Sequence, residues 1–549
     1  MLAKWIGPAC AALLAWASPA TAAMASQPPV DRADPSVIEQ ESRREPSEAP
    51  AMPKPVIVAP AERDSPDLAG SIAVGAIAID GAEALSASAF AAIVERYSGR
   101  TLGPRELRAL ASDVANVARG AGYGLASAWI PQQRIVNDLL RVRLDEGRID
   151  AVEASGSGGA IVQIHLGTLA DGRPVRTAAL ERQLLLAGDV AGIWVGRARL
   201  ERRNGRNILI VDSRRSPTMA RASLDNWGSS AVGPVRAQIG ADFHGVVTPD
   251  DKISLSSIVT PFDPEEFRLI RLGYSKALGA GGTALNLAGY FARSESGAAA
   301  RAYRGRSWEV SGGLDHALIR TRAASLWAGL ELGVRDSIQA RQGIRVRDDR
   351  LATATAHAKG NIKIGEGRLR GRIAVVQGIG AFDSTRGGDP LASRDDGSAR
   401  FTKFEAWSHY ATPLGGRFSA QLEAQGQLAS RPLLSSEEIG LGGRSFLRGY
   451  DYREFSGDKG IAGSAELRFD LGGLPKAIKS AQLYVYGDAG SVGNYEAGRG
   501  GGSLASAGGG LRARVGPVDA GVELGVPLSK GYLGADRDPR FSFTLGVRF

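Results

Sequence analysis

The sequence predicts a mostly β protein: a transmembrane antiparallel β-barrel of about sixteen strands over residues 221–549, preceded by two α/β modules at 70–147 and 148–213. Three observations carry that expectation. Past residue 220, polar and apolar side chains alternate in runs of about nine or ten, the length a tilted strand needs to cross hydrocarbon. Ahead of those runs, two similar units repeat one plan of strands and helices. No later segment holds about 18 consecutive apolar residues, so no helical span competes with the strands.

The chain opens with Lys4, an apolar stretch from Trp5 to Trp16, and small residues with Ala-x-Ala patterns at Ala20–Ala22 and Ala23–Ala25. That order is the layout of a cleavable secretory signal over residues 1–25. A membrane anchor would need about 20 apolar residues, and Pro8 and Pro19 interrupt this one. Cys10, the single cysteine, would leave with the signal. An exported chain without thiols relies on something other than disulfides for stability, and a closed barrel is one such scheme. The net charge of +9 comes mostly from dispersed arginines, without the clustered Lys/Arg runs of a nucleic-acid surface. Arginines facing a polar lumen explain the excess.

Residues 26–69 are rich in Pro, Glu, Ser and Arg and poor in large apolar groups, too poor to offset their ordering entropy by burial. Asp34-Pro35-Ser36 is a plausible helix start, with a run from Val37 to Arg44 that Pro46 ends. A short helix on a Pro-rich linker and a stretch without fixed structure both fit these residues. The first module then reads as a strand at Ala76–Asp80, a helical segment at Ala87–Tyr97 and a helix from Pro104 to Gly120. The apolar stripe of that helix is Leu107, Leu110, Val114 and Val117. Strands follow through Trp129-Ile130-Pro131 and Leu139–Leu144. The second module, Ile149 to Asp212, places a helix at Thr177–Leu186 and strands near Ile193–Leu200 and Asn207–Val211.

In the barrel region, Ser419–Leu428, Ser464–Leu471 and Phe541–Phe549 alternate cleanly. Ser325–Val334 does the same, with Trp327 the one large apolar residue on its polar side. Gln, Glu, Arg and Asp on one side are too costly to face lipid, so they face a polar interior. Soluble sandwiches also alternate, but their strands average five or six residues. Only closure satisfies every backbone donor and acceptor in hydrocarbon.

Three regions resemble one family, the two-partner secretion transporters of the ShlB/FhaC/HecB type. Ala179 to Val190 is similar to the helix of that family's second periplasmic POTRA (polypeptide-transport-associated) domain. Gly122-Tyr123, Ile130-Pro131-Gln132 and Glu146-Gly147 match the first. Leu224-Asp225-Asn226-Trp227-Gly228 resembles the opening of the first barrel strand, with Trp227 where Tyr is usual. Leu318-Ile319-Arg320 is similar to an internal motif usually preceded by Pro, where this chain has Ala317. The most specific match is Leu441-Gly442-Gly443-Arg444-Ser445-Phe446-Leu447-Arg448-Gly449-Tyr450, then the strand with Glu466, then Tyr486-Gly487-Asp488-Ala489-Gly490.

The resemblance implies that Arg448, Gly449 and Tyr450 tip a loop folded into the lumen, and that Arg448 pairs with Asp488. Asp488 shares parity with Gln482, Tyr484 and Tyr486, the more polar side of its strand, and so points inward. A guanidinium in a confined lumen needs a bidentate acceptor. The family also implies passenger contact at Glu181, Arg182 and Leu185, and a pore-resident helix for which Asp34–Arg44 is the candidate.

The implied function is secretion: the arm binds an unfolded exoprotein in the periplasm of a Gram-negative cell and the outer-membrane barrel conducts it. The expected partners are that passenger, outer-membrane lipids and, during biogenesis, the barrel assembly machinery. An assembly factor that inserts other barrels is the alternative, though such factors usually carry three or more modules. No cofactor, metal or catalytic role is expected. The five histidines form no HExxH or close pair, no Gly-x-Ser-x-Gly elbow occurs, and Gly500–Gly502 and Gly508–Gly510 lack the Lys and helix of a phosphate loop.

Overall fold

A computed structural model describes residues 32–43, 56–58, 70–296, 303–496, 501–531 and 537–549. The expected signal at 1–25 and most of the linker lie outside the described residues. A helix, α1 (Pro35–Arg43), and a three-residue strand, β1 (Val56–Val58), come first.

The first module contains β2 (Ile72–Val74), β3 (Ala76–Asp80), α2 (Ala91–Tyr97), β4 (Arg100–Leu102), α3 (Pro104–Gly120), β5 (Ser127–Trp129) and β6 (Leu139–Asp145). Strand β6 is central, parallel to β3 and antiparallel to β5. Helix α3 begins where Pro104 fits the first helical position and Glu106 reaches back to the Gly103 N–H at 2.9 Å. Its stripe, Leu107, Leu110, Val114 and Ala118, is fully buried against the sheet, and Val117 packs at the margin of that core. The Glu146 carboxylate, 1% exposed, accepts the backbone N–H groups of Glu83, Ala84 and Leu85 at 3.0, 2.8 and 3.0 Å, tying the loop after β3 to the module's end.

The second module has β7 (Ala151–Ser155), α4 (Gly159–Gly167), α5 (Thr177–Asp189), β8 (Ile193–Arg203) and β9 (Arg206–Arg215). Its sheet runs β1-β8-β9-β7, with β1 added in parallel along β8. Helix α4 escaped the sequence reading because Gly-Ala-Ile-Val-Gln-Ile-His-Leu-Gly carries almost no polar face from which a period can be read.

Sixteen strands then close a barrel. They begin with β10 (Thr218–Asp225), β11 (Arg236–His244), β12 (Asp251–Val259), β13 (Phe267–Ala277), β14 (Thr283–Glu295), β15 (Tyr303–Arg320), β16 (Ala324–Arg341) and β17 (Ile344–Ile364). Next come β18 (Gly367–Ile379), β19 (Thr402–Gly415) and β20 (Phe418–Ala429). A short hairpin of β21 (Ile439–Leu441) and β22 (Phe455–Gly457) interrupts the order. The wall resumes with β23 (Lys459–Asp470), β24 (Ile478–Gly493), β25 (Gly501–Val515), β26 (Val518–Pro527) and β27 (Arg540–Arg548). Antiparallel pairing of β27 with β10, Leu545 opposite Leu224, seals the cylinder.

The outer face exposes Leu330 at 67%, Leu332 at 63%, Ile239 at 63% and Ile373 at 63%, a belt of apolar surface far larger than water-facing proteins carry and suited to lipid. Strands β15, β16 and β17, at 18, 18 and 21 residues, are longer than the nine or ten expected. Their surplus is charged, from Arg335 through Asp349, and continues the hydrogen-bonded ladder beyond the apolar belt, where charge costs little.

The Glu146 clasp generates a prediction. Glu146→Ala removes the acceptor of three loop N–H groups and should destabilise the first module by about 2 kcal/mol. Hydrogen exchange of residues 83–85 in the full-length protein measures it; unchanged protection would refute the clasp.

Candidate functional site

The lumen holds a loop, a helix and a compact set of paired charges. The loop between β20 and β23 folds inward through the β21–β22 hairpin, Leu441 opposite Phe455. Gly442 and Gly443, at φ +104° and +102°, make its turn; a Cβ on Gly442 would lie 2.1 Å from the Asp451 carbonyl oxygen. Phe446, Leu447, Tyr450 and Phe455 pack on Ala462, Val492 and Leu504 of the wall.

The structure brings Arg448, Asp488 and Glu466 together. The Arg448 guanidinium forks onto Asp488, Nε and Nη2 donating at 3.1 Å each, and its backbone N–H donates to the same carboxylate at 3.0 Å. Nη1 donates to Glu466 at 3.0 Å and to Glu523 at 3.4 Å, and Nη2 also reaches Ser464 Oγ at 3.1 Å. Glu466 is shared with Arg468 at 2.7 Å and with Arg512 at 2.8 Å. Three arginines thus face three carboxylates from β23, β24, β25, β26 and the loop, a balance that keeps any one buried charge from standing alone.

Two tyrosines cover the cluster. The Tyr486 ring lies 3.3 Å under the Arg448 guanidinium carbon and the Tyr484 ring 3.8 Å from that of Arg512. Both hydroxyls donate to Glu523, at 3.1 and 2.7 Å. Across the ladder from these rings stand Gly508 and Gly510. A Cβ on either would meet a tyrosine hydroxyl oxygen at 2.5 Å. These glycines are the floor on which the rings lie flat. Gly449 is equally constrained, since its Cβ would come within 3.0 Å of Pro527 N. Tyr450 anchors the loop tip, its hydroxyl donating to the Ser529 carbonyl at 2.7 Å and accepting the Ser529 N–H at 3.0 Å.

Helix α1 occupies the lumen beside this loop. Asp34 caps it, accepting the Ser36 N–H at 2.8 Å, and Asp34, Val37 and Glu39 are buried. The wall holds it through Arg271 to Glu39 at 2.5 Å and Ser337 to Asp34 at 2.9 Å. The loop holds it through Tyr452, which donates to the Val37 carbonyl at 2.7 Å, and through Glu454, which accepts from Arg32 at 2.8 Å. One loop therefore touches both the wall cluster and the helix.

Glu181, Arg182 and Leu185, for which passenger contact is the expectation, sit where the arm meets the barrel. Glu181 accepts the Arg322 N–H at 2.7 Å, Arg182 donates to the Ala317 carbonyl at 2.6 Å, and Leu185 is buried. In this conformation all three are engaged, Glu181 by the turn joining β15 and β16 and Arg182 by the end of β15. Beside them Asp189, at the end of α5, accepts a fork from Arg320 at 2.7 and 2.5 Å, and Arg320 stacks over Trp327. The sequence reading missed Asp189, as well as Glu523 and Arg512. A cavity of about 450 Å³ opens beside this seam, where Trp327, Lys359, Arg372 and Trp407 form a row across neighbouring strands.

A closed sixteen-stranded barrel with an α/β arm, a loop locked inside it and a helix in its lumen defines an outer-membrane β-barrel with a POTRA arm. Residues 204–513 match the model of the haemolysin secretion/activation protein ShlB/FhaC/HecB family, and residues 72–147 match the ShlB-type POTRA domain. The chain belongs to the ShlB/FhaC/HecB family, and it is a translocator for a secreted exoprotein. Among relatives, the heme/hemopexin transporter protein HuxB of Haemophilus influenzae strain 86-028NP is 21% identical over 409 residues, covering 72% of each chain. CdiB from Escherichia coli superposes with a TM-score of 0.71 at 18% identity, covering 96% of this chain and 100% of that one. CdiB from Acinetobacter baumannii gives 0.64 at 18%, covering 93% and 96%.

Two predictions follow from the geometry. Asp488→Ala leaves Arg448 short of its forked acceptor, and should loosen the loop by about 3–5 kcal/mol. Proteolysis of residues 440–455 in the folded barrel should rise accordingly, and an unchanged rate would contradict the lock. At the seam, Asp189→Ala should free the arm, read as faster exchange of the amides at 317–324; equal exchange would show that the pair holds nothing.

Proposed function

We propose that the barrel conducts an unfolded exoprotein from a periplasmic arm to the outside, and that α1 and the Arg448 loop together keep the conduit shut until the passenger arrives. The observation that carries this reading is the double engagement of the loop, with Arg448 on the wall and Tyr452 and Glu454 on α1. Moving either piece disturbs the other. The modules stand at the end of the barrel where the β15–β16 turn lies, which is the periplasmic end when the long loops face outward. The outer belt contacts membrane lipid, and the barrel assembly machinery inserts it.

Glu181, Arg182 and Asp189 act in this reading as a latch between arm and barrel. Opening it exposes the cavity bordered by Trp327, Lys359, Arg372 and Trp407, a mixed aromatic and cationic wall that suits a mobile extended chain. The protein performs transport without chemistry on its passenger. No ATP drives it: folding of the passenger outside favours net outward movement.

The test is removal of residues 27–43 with the rest of the chain retained. Single-channel conductance in planar bilayers should rise severalfold, because α1 fills part of the lumen. Conductance equal to that of the intact protein would remove α1 from the gate.

A further inference from the structure

Three arginines stand side by side on the outer face of the barrel, at the end away from the arm. The ladders of β13, β14 and β15 set Arg268 opposite Arg293 and Arg293 opposite Arg306. All three are exposed, while their chain neighbours Leu269, Ala292 and Ser307 are buried on the lumen side, so the guanidinium groups project outward. The next outward row toward the arm is Ile270, Phe291 and Trp308, again opposite one another, and Arg293 lies over the Phe291 ring at 5.2 Å. Cations above aromatic rings above an apolar belt is the order of a membrane interface. The height agrees. Residues 306 to 320 of β15 lead from the row to Arg320 at the seam with the arm. About fourteen tilted residues rise about 35 Å, slightly more than an apolar layer of about 25–30 Å.

Within the protein such a row is unfavourable, because like charges directly opposite one another in a ladder repel. Other arginines on the same rim are matched: Arg304 to Glu295 at 3.2 Å, Arg345 to Asp348 at 2.6 Å and Arg350 to Asp336 at 3.5 Å. Glu295 and Asp336, the carboxylates diagonal to Arg306, are therefore already engaged. Among the described residues, Arg268, Arg293 and Arg306 meet no carboxylate at ion-pair distance. What offsets their repulsion must come from outside the chain.

The geometry points to a lipid site: the row binds the phosphates of a phosphorylated glycolipid in the outer leaflet, and the acyl chains of that lipid lie on the belt below. The assignment rests on the orientation given above, with the arm in the periplasm, and on nothing about the passenger. Neighbouring strands lie about 4.8 Å apart, so the three guanidinium groups span about 10 Å. Each is a planar fork that matches phosphate oxygens two at a time. A lipid with a single phosphate uses part of the row, and one with two phosphates uses all of it. About 15 Å closer to the arm, within reach of an acyl chain, an almost wholly apolar groove of about 1380 Å³ is bordered by Leu287, Leu314 and Leu330. The inward faces of the same strands seat α1 through Leu269, Tyr290 and Ala292. A lipid that bridges β13 to β15 braces that seat from outside.

The experiment titrates full-length protein in detergent micelles with diphosphorylated lipid A, monophosphoryl lipid A and phosphatidylglycerol, and reads bound lipid by native mass spectrometry. Diphosphorylated lipid A should bind tightest and phosphatidylglycerol weakest. Changing Arg268, Arg293 and Arg306 together to Gln should weaken lipid A binding roughly a hundredfold. Arg386→Gln, Arg400→Gln and Arg431→Gln together remove the same charge from the loops after β18 and β20, and should leave binding unchanged. Arg293→Gln alone, at the centre of the row, should cost about fivefold, which keeps the test decisive if the triple variant does not fold. Wild-type affinity in the Arg293 variant would overturn the site. So would an equal loss in the loop variant, or phosphatidylglycerol bound as tightly as lipid A. None of these readouts involves conductance or secretion, so the lipid site and the gate stand or fall separately.

Discussion

The arrangement inside the barrel depends on one constraint: a guanidinium held in a confined lumen must have its charge and its hydrogen bonds met. Arg448 meets it by drawing on Asp488, Glu466, Glu523 and Ser464 at once. Because those groups come from β23, β24 and β26, the loop can sit in only one place. The two tyrosines over the cluster, and the glycines that let them lie flat, follow from the same requirement. Any side chain at Gly508 or Gly510 would lift a ring away from its arginine.

A charge cluster of this kind suits a part that must hold and then move. Buried ion pairs are poor sources of net stability but are costly to break one member at a time, so the loop is well placed without being welded. The apolar contacts of Phe446, Leu447 and Tyr450 supply adhesion, and the ions supply register. Helix α1 is held differently, by polar contacts to wall and loop and by Ala33 and Ile38 packed against Val232, Ile258, Phe267, Leu269 and Tyr290 of the barrel. The seam at Asp189 and Arg320 repeats the theme at the other end of the barrel: a forked ion pair fixes a movable body against a rigid rim.

How far the sequence could be read followed the range of the interactions. Alternation revealed the barrel because each strand reports its own two faces, and parity placed Asp488 inward. Helix α3 was legible through Pro104 and its apolar stripe. Helix α4 was not, since it is apolar nearly all round. The overlong β15, β16 and β17 were underestimated because charged residues beyond the lipid belt no longer alternate in polarity. Glu523 and Arg512 could not be found, because their partners lie on other strands and only register brings them together. Residues 181 and 182 stood out in the sequence, but their contacts with the end of β15 and the turn after it depend on how the arm docks. Strand β1 is three residues between prolines, and nothing local marks it as a strand; a distant edge makes it one.

The central claim is that the Arg448 cluster fixes the loop in one position in the resting protein. Pulsed electron–electron spin resonance tests it directly, with labels on cysteines introduced at Ser445 in the loop and at Ser503 on the wall. Cys10 is the sole native cysteine, so changing it to Ser leaves the two introduced cysteines as the labelling sites. The account predicts one narrow distance distribution for the otherwise native chain and a broad one when Arg448 is changed to Ala. A narrow, unchanged distribution in both would contradict it.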